Sequence, residues 1–111
     1  MQDFSKEERL LSRHDFLSIS QQGHKIHAPH FIIIYRITTG TTAPRIGITV
    51  SRKVGNAVIR NRVKRRIREF YRLHKGLFPA ADVNIIARRG AGGLMTAHMW
   101  QELAQALRRV S

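Results

Sequence analysis

Arg45-Ile-Gly-Ile-Thr-Val-Ser-Arg-Lys-Val-Gly-Asn-Ala-Val-Ile-Arg-Asn-Arg-Val-Lys-Arg-Arg-Ile-Arg-Glu-Phe-Tyr-Arg-Leu-His-Lys75 changes its apolar period part-way along. Up to Ser51 the period is two. Ile46, Ile48 and Val50 share one face, and Gly47, Thr49 and Ser51 share the other. That alternation predicts a half-buried strand. Its small, polar face leaves room for something to lie against the sheet. Beyond Gly55 the period becomes helical. Ile59, Val63, Ile67, Phe70 and His74 recur at three- and four-residue steps, and Asn56 is placed to cap the helix they form. This predicts a helix from Asn56 to about Lys75. Arg60, Lys64 and Arg68 fall on one ridge beside the apolar stripe, with Asn61, Arg65 and Arg72 next to them. Arg62 and Arg66 flank the other side.

Between Arg45 and Lys75 there are eleven basic residues and one acid, Glu69; the other eighty residues hold nine basic and six acidic. A merely solvated helix gains from mixed charges at i and i+4, and these are nearly absent here. Disordered basic tails lie at a terminus and lack apolar residues. This block is central and carries an apolar stripe, so it predicts a folded, charged surface.

Working outward, residues 45–51 are preceded by a loop at 38–44 and by a predicted strand at 31–37. That strand is apolar on both faces and should be covered on both. Residues 25–28 read as a short edge strand limited by Pro29. Ser12 and Asp15 have capping-box spacing before a short helix at 13–22, which carries Phe16 and ends at Gly23 as a left-handed stop. Residues 1–11 read as a loosely ordered arm. Downstream, 76–82 is a connecting loop and 83–87 a buried strand. Gly90, Gly92 and Gly93 read as a flexible turn. Thr96 is the expected cap of a last helix with the stripe Trp100, Leu103, Ala104 and Leu107. The order αβββαβα predicts one α/β (α+β) two-layer sandwich with a single mixed sheet of about four strands and three helices. The whole chain, 1–111, reads as one domain. Strand order is not fixed by this pattern.

The chain has 111 residues, 42% of them hydrophobic, enough for a real core. Its formal net charge is +13. Such an excess draws a domain toward polyanions, with nucleic acid first. No apolar run reaches membrane-spanning length, and no secretory signal is visible. Absence of cysteine excludes disulfides and thiolate metal sites. His24, His27 and His30 lack a shared helix face or a nearby carboxylate, so no metal site is expected. There is no paired-carboxylate motif, nucleophile motif or phosphate loop, so no catalytic residue is assigned. Tyr35 and Trp100 read as packing.

The run from Lys53 to Glu69 resembles the signature of the bacterial ribonuclease P protein. The family's Arg-Asn-Arg core is matched by Arg60-Asn61-Arg62, its Gly-x-Ala by Gly55 and Ala57, and its Lys-Arg by Lys64-Arg65. Asp15-Phe16 with Gly23, the strand from Arg45 to Ser51, and Ile85-Ile-Ala-Arg-Arg89 are similar at matching positions. The resemblance implies a left-handed βαβ crossover and a fold similar to the second domain of a small-subunit ribosomal protein. It implies a subunit of an RNA-based endoribonuclease in the cytoplasm, monomeric when free and inactive alone. The partners would be ribonuclease P RNA and precursor tRNA. No cofactor would be held by the protein itself, Mg²⁺ being used by the RNA–protein complex. By this resemblance Asn56, Arg60, Asn61, Arg62, Lys64, Arg65 and Arg68 face the catalytic RNA. Phe16, Ser20, Ile34, Thr49, Ser51, Arg52, Lys53, Arg88 and Arg89 line or border a cleft for the 5′ leader. Ser20 and Ile34 stand where many members carry aromatics, which implies fewer stacked bases and more backbone contact. A structural protein binding ribosomal RNA shares this composition and fold class. A DNA-binding regulator with its basic helix in a major groove is a further reading.

Charge alone yields a first prediction. Typical domain stability is only about 5–15 kcal/mol, and self-repulsion among these cations offsets part of it. Phosphate or a short oligonucleotide should therefore raise the melting temperature with saturation at millimolar concentration. A rise that stays linear to molar salt would instead indicate exclusion of the anion from the surface.

Overall fold

The computed structural model describes Gln21, residues 23–37 and residues 44–110. Strands β1 (His24–His27), β2 (Phe31–Ile37) and β3 (Arg45–Val50) are followed by helix α1 (Ala57–Leu73), strand β4 (Ala81–Ala87) and helix α2 (Thr96–Leu107). The predicted arm at 1–11, nearly all of the predicted first helix, and most of the 38–44 loop lie outside the described residues. One four-stranded sheet has the order β1-β2-β4-β3. β1 is the predicted edge strand, one residue earlier than expected. β2 runs antiparallel to both of its neighbours, β1 and β4. β3 and β4 are parallel and joined across α1.

Register sorts the sheet into two faces. Ile26 pairs with Ile33, Ile33 with Ile85, and Ile85 with Ile48. This row and its neighbours Phe31, Tyr35, Ile46, Val50 and Val83 pack with Val63, Ile67, Phe70 and Tyr71 of α1 and Met99, Leu103, Ala106 and Leu107 of α2. Both helices thus cover one face. Burying an apolar side chain of this size contributes about 1.5–3 kcal/mol. On the other face Ile34 is buried between Ile32 and Ile86. β2 is therefore buried on both sides, as its apolar residues on both faces predict.

Local corrections have physical causes. α1 stops at Leu73, two residues early, because His74 closes it: the His74 N–H reaches the carbonyls of Phe70 and Tyr71 at 2.9 and 3.2 Å. β4 begins at Ala81, inside the segment expected to be loop, because Ala81 and Asp82 pair with Ile37 and Arg36. Gly23 has no left-handed φ; among the described residues only Gly55 and Gly90 have positive φ. Met95, not Thr96, holds the N-cap position of α2, and no side chain caps it. The buried stripe of α2 is rotated toward Met99 and Ala106, leaving Trp100 and Ala104 partly buried at its edge. Trp100 sits at that rim because its indole N–H donates to the Arg66 carbonyl at 3.0 Å, while flexible Met99 fills the interior.

The glycine turn is packed rather than loose. A Cβ at Gly92 would lie 2.6 Å from Ile59 Cγ2 and 3.2 Å from the Val54 carbonyl oxygen. Gly92 lets this turn close under the first turn of α1. Gly92→Ala should destabilise the domain by about 1–3 kcal/mol, the usual cost of overpacking. Gly93→Ala, with nothing within 4 Å of its Cβ, should leave the thermal melt nearly unchanged. Equal melts for the two variants would contradict this packing.

Candidate nucleic-acid interface

α1 starts where Asn56 accepts the Ile59 N–H at 3.0 Å through its side-chain oxygen. Four buried residues, Val63, Ile67, Phe70 and Tyr71, then fix the helix's rotation. Asn61, Arg65 and Arg68 are consequently exposed, as is Asn56, and Arg60 and Lys64 are half-exposed beside them. No carboxylate among the described residues pairs with Arg60, Lys64, Arg65 or Arg68. Glu69, the one acid of the helix, is held by Arg72 one turn on, and that hydrogen bond lowers its pKa. Among the described residues the ridge is therefore an uncompensated row of cations.

Arg62 differs from the rest of its motif. Its Nη2 donates to the Gly92 carbonyl at 3.0 Å, and Arg66 Nη1 donates to that of Leu94 at 3.0 Å. These two arginines bind α1 to the turn before α2. The sequence places Arg62 with the RNA-facing set; the structure gives it an internal partner.

The second region follows from strand direction. β3 and β4 are parallel, so the segments leaving their C-terminal ends emerge at one edge of the sheet. Ser51, Arg52 and Lys53 follow β3, Arg88 and Arg89 follow β4, and all five are exposed. Arg88 is anchored: its N–H donates to the His30 carbonyl at 2.8 Å and its Nη1 to that of Ala28 at 3.1 Å. Thr49 is exposed on the sheet face away from the helices. Its hydroxyl donates to Asn84 Oδ1 at 3.2 Å. Ile34, two strands away in the same row as Asn84, is only 4% exposed and forms apolar support rather than a free stacking surface. Phe16 and Ser20 lie outside the described residues. The fold thus brings Thr49, Ser51, Arg52, Lys53, Arg88 and Arg89 to one side and end of the sheet.

Sequence reading missed Asn84, which is buried at the middle of β4, and a trio at the far end of the same face. Asp82 is 1% exposed. Arg45 approaches it with two bonds of 2.8 Å, and Arg36 adds one at 3.1 Å. The arginines come from β3 and β2, which flank β4. Only strand order reveals this trio; the chain separates its members by up to 46 positions. His30 is tied to Glu102: its N–H donates at 2.7 Å and its ring Nδ1 lies 2.9 Å from the second oxygen. No group of three potential metal ligands occurs among the described residues.

A single sheet with α1 and α2 on one face, a cation ridge along α1 and a basic sheet end define a small, strongly basic α+β protein. The family model described as Ribonuclease P matches residues 4–111, and the chain belongs to that family. The Ribonuclease P protein component of Geotalea uraniireducens (strain Rf4) is 51% identical, the match covering 96% of this chain and 94% of the relative. That of Geobacter sp. (strain M21) is 48% identical, over 97% and 92%. Among solved structures, the RNase P protein from Thermotoga maritima is 32% identical, with a TM-score of 0.85 over 94% of this chain and 98% of that one. The Staphylococcus aureus RNase P protein at 2.0 Å is 35% identical, with a TM-score of 0.85 over 91% and 93%. The chain is a protein component of the endoribonuclease ribonuclease P. No described helix is long and apolar enough to cross a membrane.

The Asp82 trio predicts an acid-sensitive strut. Hydrogen bonding from Arg45 is the main cause that lowers the Asp82 pKa, burial opposes it, and Arg36 adds to the lowering. The folded-state pKa lies below the unfolded one. The trio's stabilisation is therefore complete above about pH 5 and is lost as pH falls through the unfolded value of about 3.9 toward the folded one. Asp82→Asn should cost about 1–3 kcal/mol at neutral pH and flatten the stability profile below pH 5. A variant whose acid limb matches that of the parent would remove Asp82 from this role.

Proposed function

We propose that this protein binds the catalytic RNA of ribonuclease P through α1 and holds the 5′ leader of precursor tRNA along the sheet face turned away from α1 and α2. Hydrolysis, with Mg²⁺ used by the RNA–protein complex, removes the leader to give the mature tRNA 5′ end. The observation that carries this reading is the ridge Arg60, Lys64, Arg65 and Arg68, which has no carboxylate partner among the described residues, on a helix whose other side is core. A row of cations with no acid to offset it releases counterions from a phosphate backbone on binding. Asn56 and Asn61 add neutral hydrogen-bonding groups to the same exposed side.

The leader path follows from the second region. Arg52, Lys53, Arg88 and Arg89 form its basic border, and Thr49 and Ser51 its small polar floor. The role proposed for Phe16 is an aromatic platform for an unpaired base. The protein's contribution is positioning: it fixes leader and catalytic RNA in one complex, which turns encounter into orientation. We place this work in the cytoplasm, with the free protein a monomer.

Phosphate contacts have a salt signature. Each one adds about 0.7 to the log–log slope of affinity against salt for single-stranded RNA, and about 0.9 for a duplex. Replacing Arg60, Lys64, Arg65 and Arg68 with Gln should weaken binding to ribonuclease P RNA and flatten that slope by roughly three units. Lower affinity at an unchanged slope would show that these side chains do not contact phosphates.

A further inference from the structure

Two hollows meet at Trp100, on the seam between α1 and α2. One, of about 510 Å³, is lined in part by Phe70, His74 and Arg108. The other, of about 340 Å³, is lined in part by Arg65 and Glu69. The indole between them is partly buried and rigidly held, since its N–H is already given to the Arg66 carbonyl. His74 lies nearly perpendicular to it with ring centres 5.8 Å apart, Phe70 is tilted against it at 6.1 Å, and His74 in turn stacks on Phe70 at 4.6 Å. With its donor occupied, what Trp100 offers a neighbour is the part of its ring that lines the two hollows.

The surroundings select the neighbour. Arg65 and Arg108 are exposed at opposite hollows, and neither has a carboxylate partner among the described residues. Glu69, the acid of the seam, is held by Arg72. Arg65 also belongs to the cation ridge of α1, so the seam continues that ridge around the helix. A fixed aromatic between cations suits an unpaired base with a phosphate on either side; an apolar protein segment would leave those guanidinium groups without counter-charge.

We propose that the α1–α2 seam at Trp100 is an RNA contact distinct from the leader path, in which an unpaired base stacks on the indole and its flanking phosphates meet Arg65 and Arg108. This rests on the RNA-binding reading above and extends it to a helix that reading does not use.

Trp100 is the only tryptophan of the chain, so its fluorescence reports the seam alone. The intact protein is titrated with ribonuclease P RNA, with binding followed independently by filter retention. Saturable quenching of Trp100 and reduced access of acrylamide to it are expected as the complex forms. Trp100→Leu should weaken the complex about tenfold, or ~1.4 kcal/mol, within the range for one stacked base. Trp100→Phe should recover most of the loss, and Arg108→Gln, a surface change, should weaken binding without altering the melt. RNA that binds while Trp100 emission and acrylamide access stay constant would overturn the seam and leave the α1 ridge standing. A Trp100→Leu protein that folds and binds as tightly as the parent would overturn it as well. Failure of RNA to bind at all would overturn both.

Discussion

The rotation of α1 about its own axis is the constraint on which the other features depend. Val63, Ile67, Phe70 and Tyr71 occupy less than half of the helix circumference, and all four are buried in the core shared with the sheet and α2. Once that side is buried, Arg65 and Arg68 are left exposed and Lys64 half-exposed, while Arg60 on the first turn is half-exposed with its Nε buried. A charged group left in the core would cost several kcal/mol. The helix therefore cannot turn to bring its charges closer to any acid. The same packing holds β3 and β4 parallel on either side of the crossover, which sends Arg52, Lys53, Arg88 and Arg89 out at one end.

A domain carrying a +13 charge must also keep its own cations from destabilising it. It does so by giving many of them backbone partners. Arg62, Arg66, Arg88 and Arg109 each donate to a carbonyl of another segment, and Arg36 and Arg45 converge on Asp82. These six arginines act as cross-links between elements as much as charges. Among the described residues, the cations without such a tie include Arg60, Lys64, Arg65 and Arg68 of α1, Arg52, Lys53 and Arg89 at the sheet end, and Lys25 and Arg108.

Much of this was legible in the sequence. Alternation at Ile46, Ile48 and Val50 gave β3, and the apolar residues on both faces between Phe31 and Ile37 gave β2 with both of its residue limits. Asn56 was readable as a cap because an Asn after Gly before a helical stripe has few other uses. What was not legible depended on register and on tertiary approach. Asp82 looks like a loop residue until β4 is seen between β2 and β3. Arg62 looks like its neighbours until the Gly92 carbonyl is found beneath it. Gly92 reads as slack until Ile59 is placed against it. The stripe of α2 was misjudged by about one position because Trp100 resembles a core residue, whereas its N–H requires a carbonyl at the rim.

The central claim is that this chain positions RNA and substrate rather than performing hydrolysis itself. Its most direct test is cleavage of precursor tRNA at low Mg²⁺ with the protein alone, ribonuclease P RNA alone, and the two combined. The account predicts no cleavage by the protein, little by the RNA, and efficient release of the 5′ leader only when both are present. Cleavage by the protein alone, or a rate with both components no higher than with RNA alone, would contradict it.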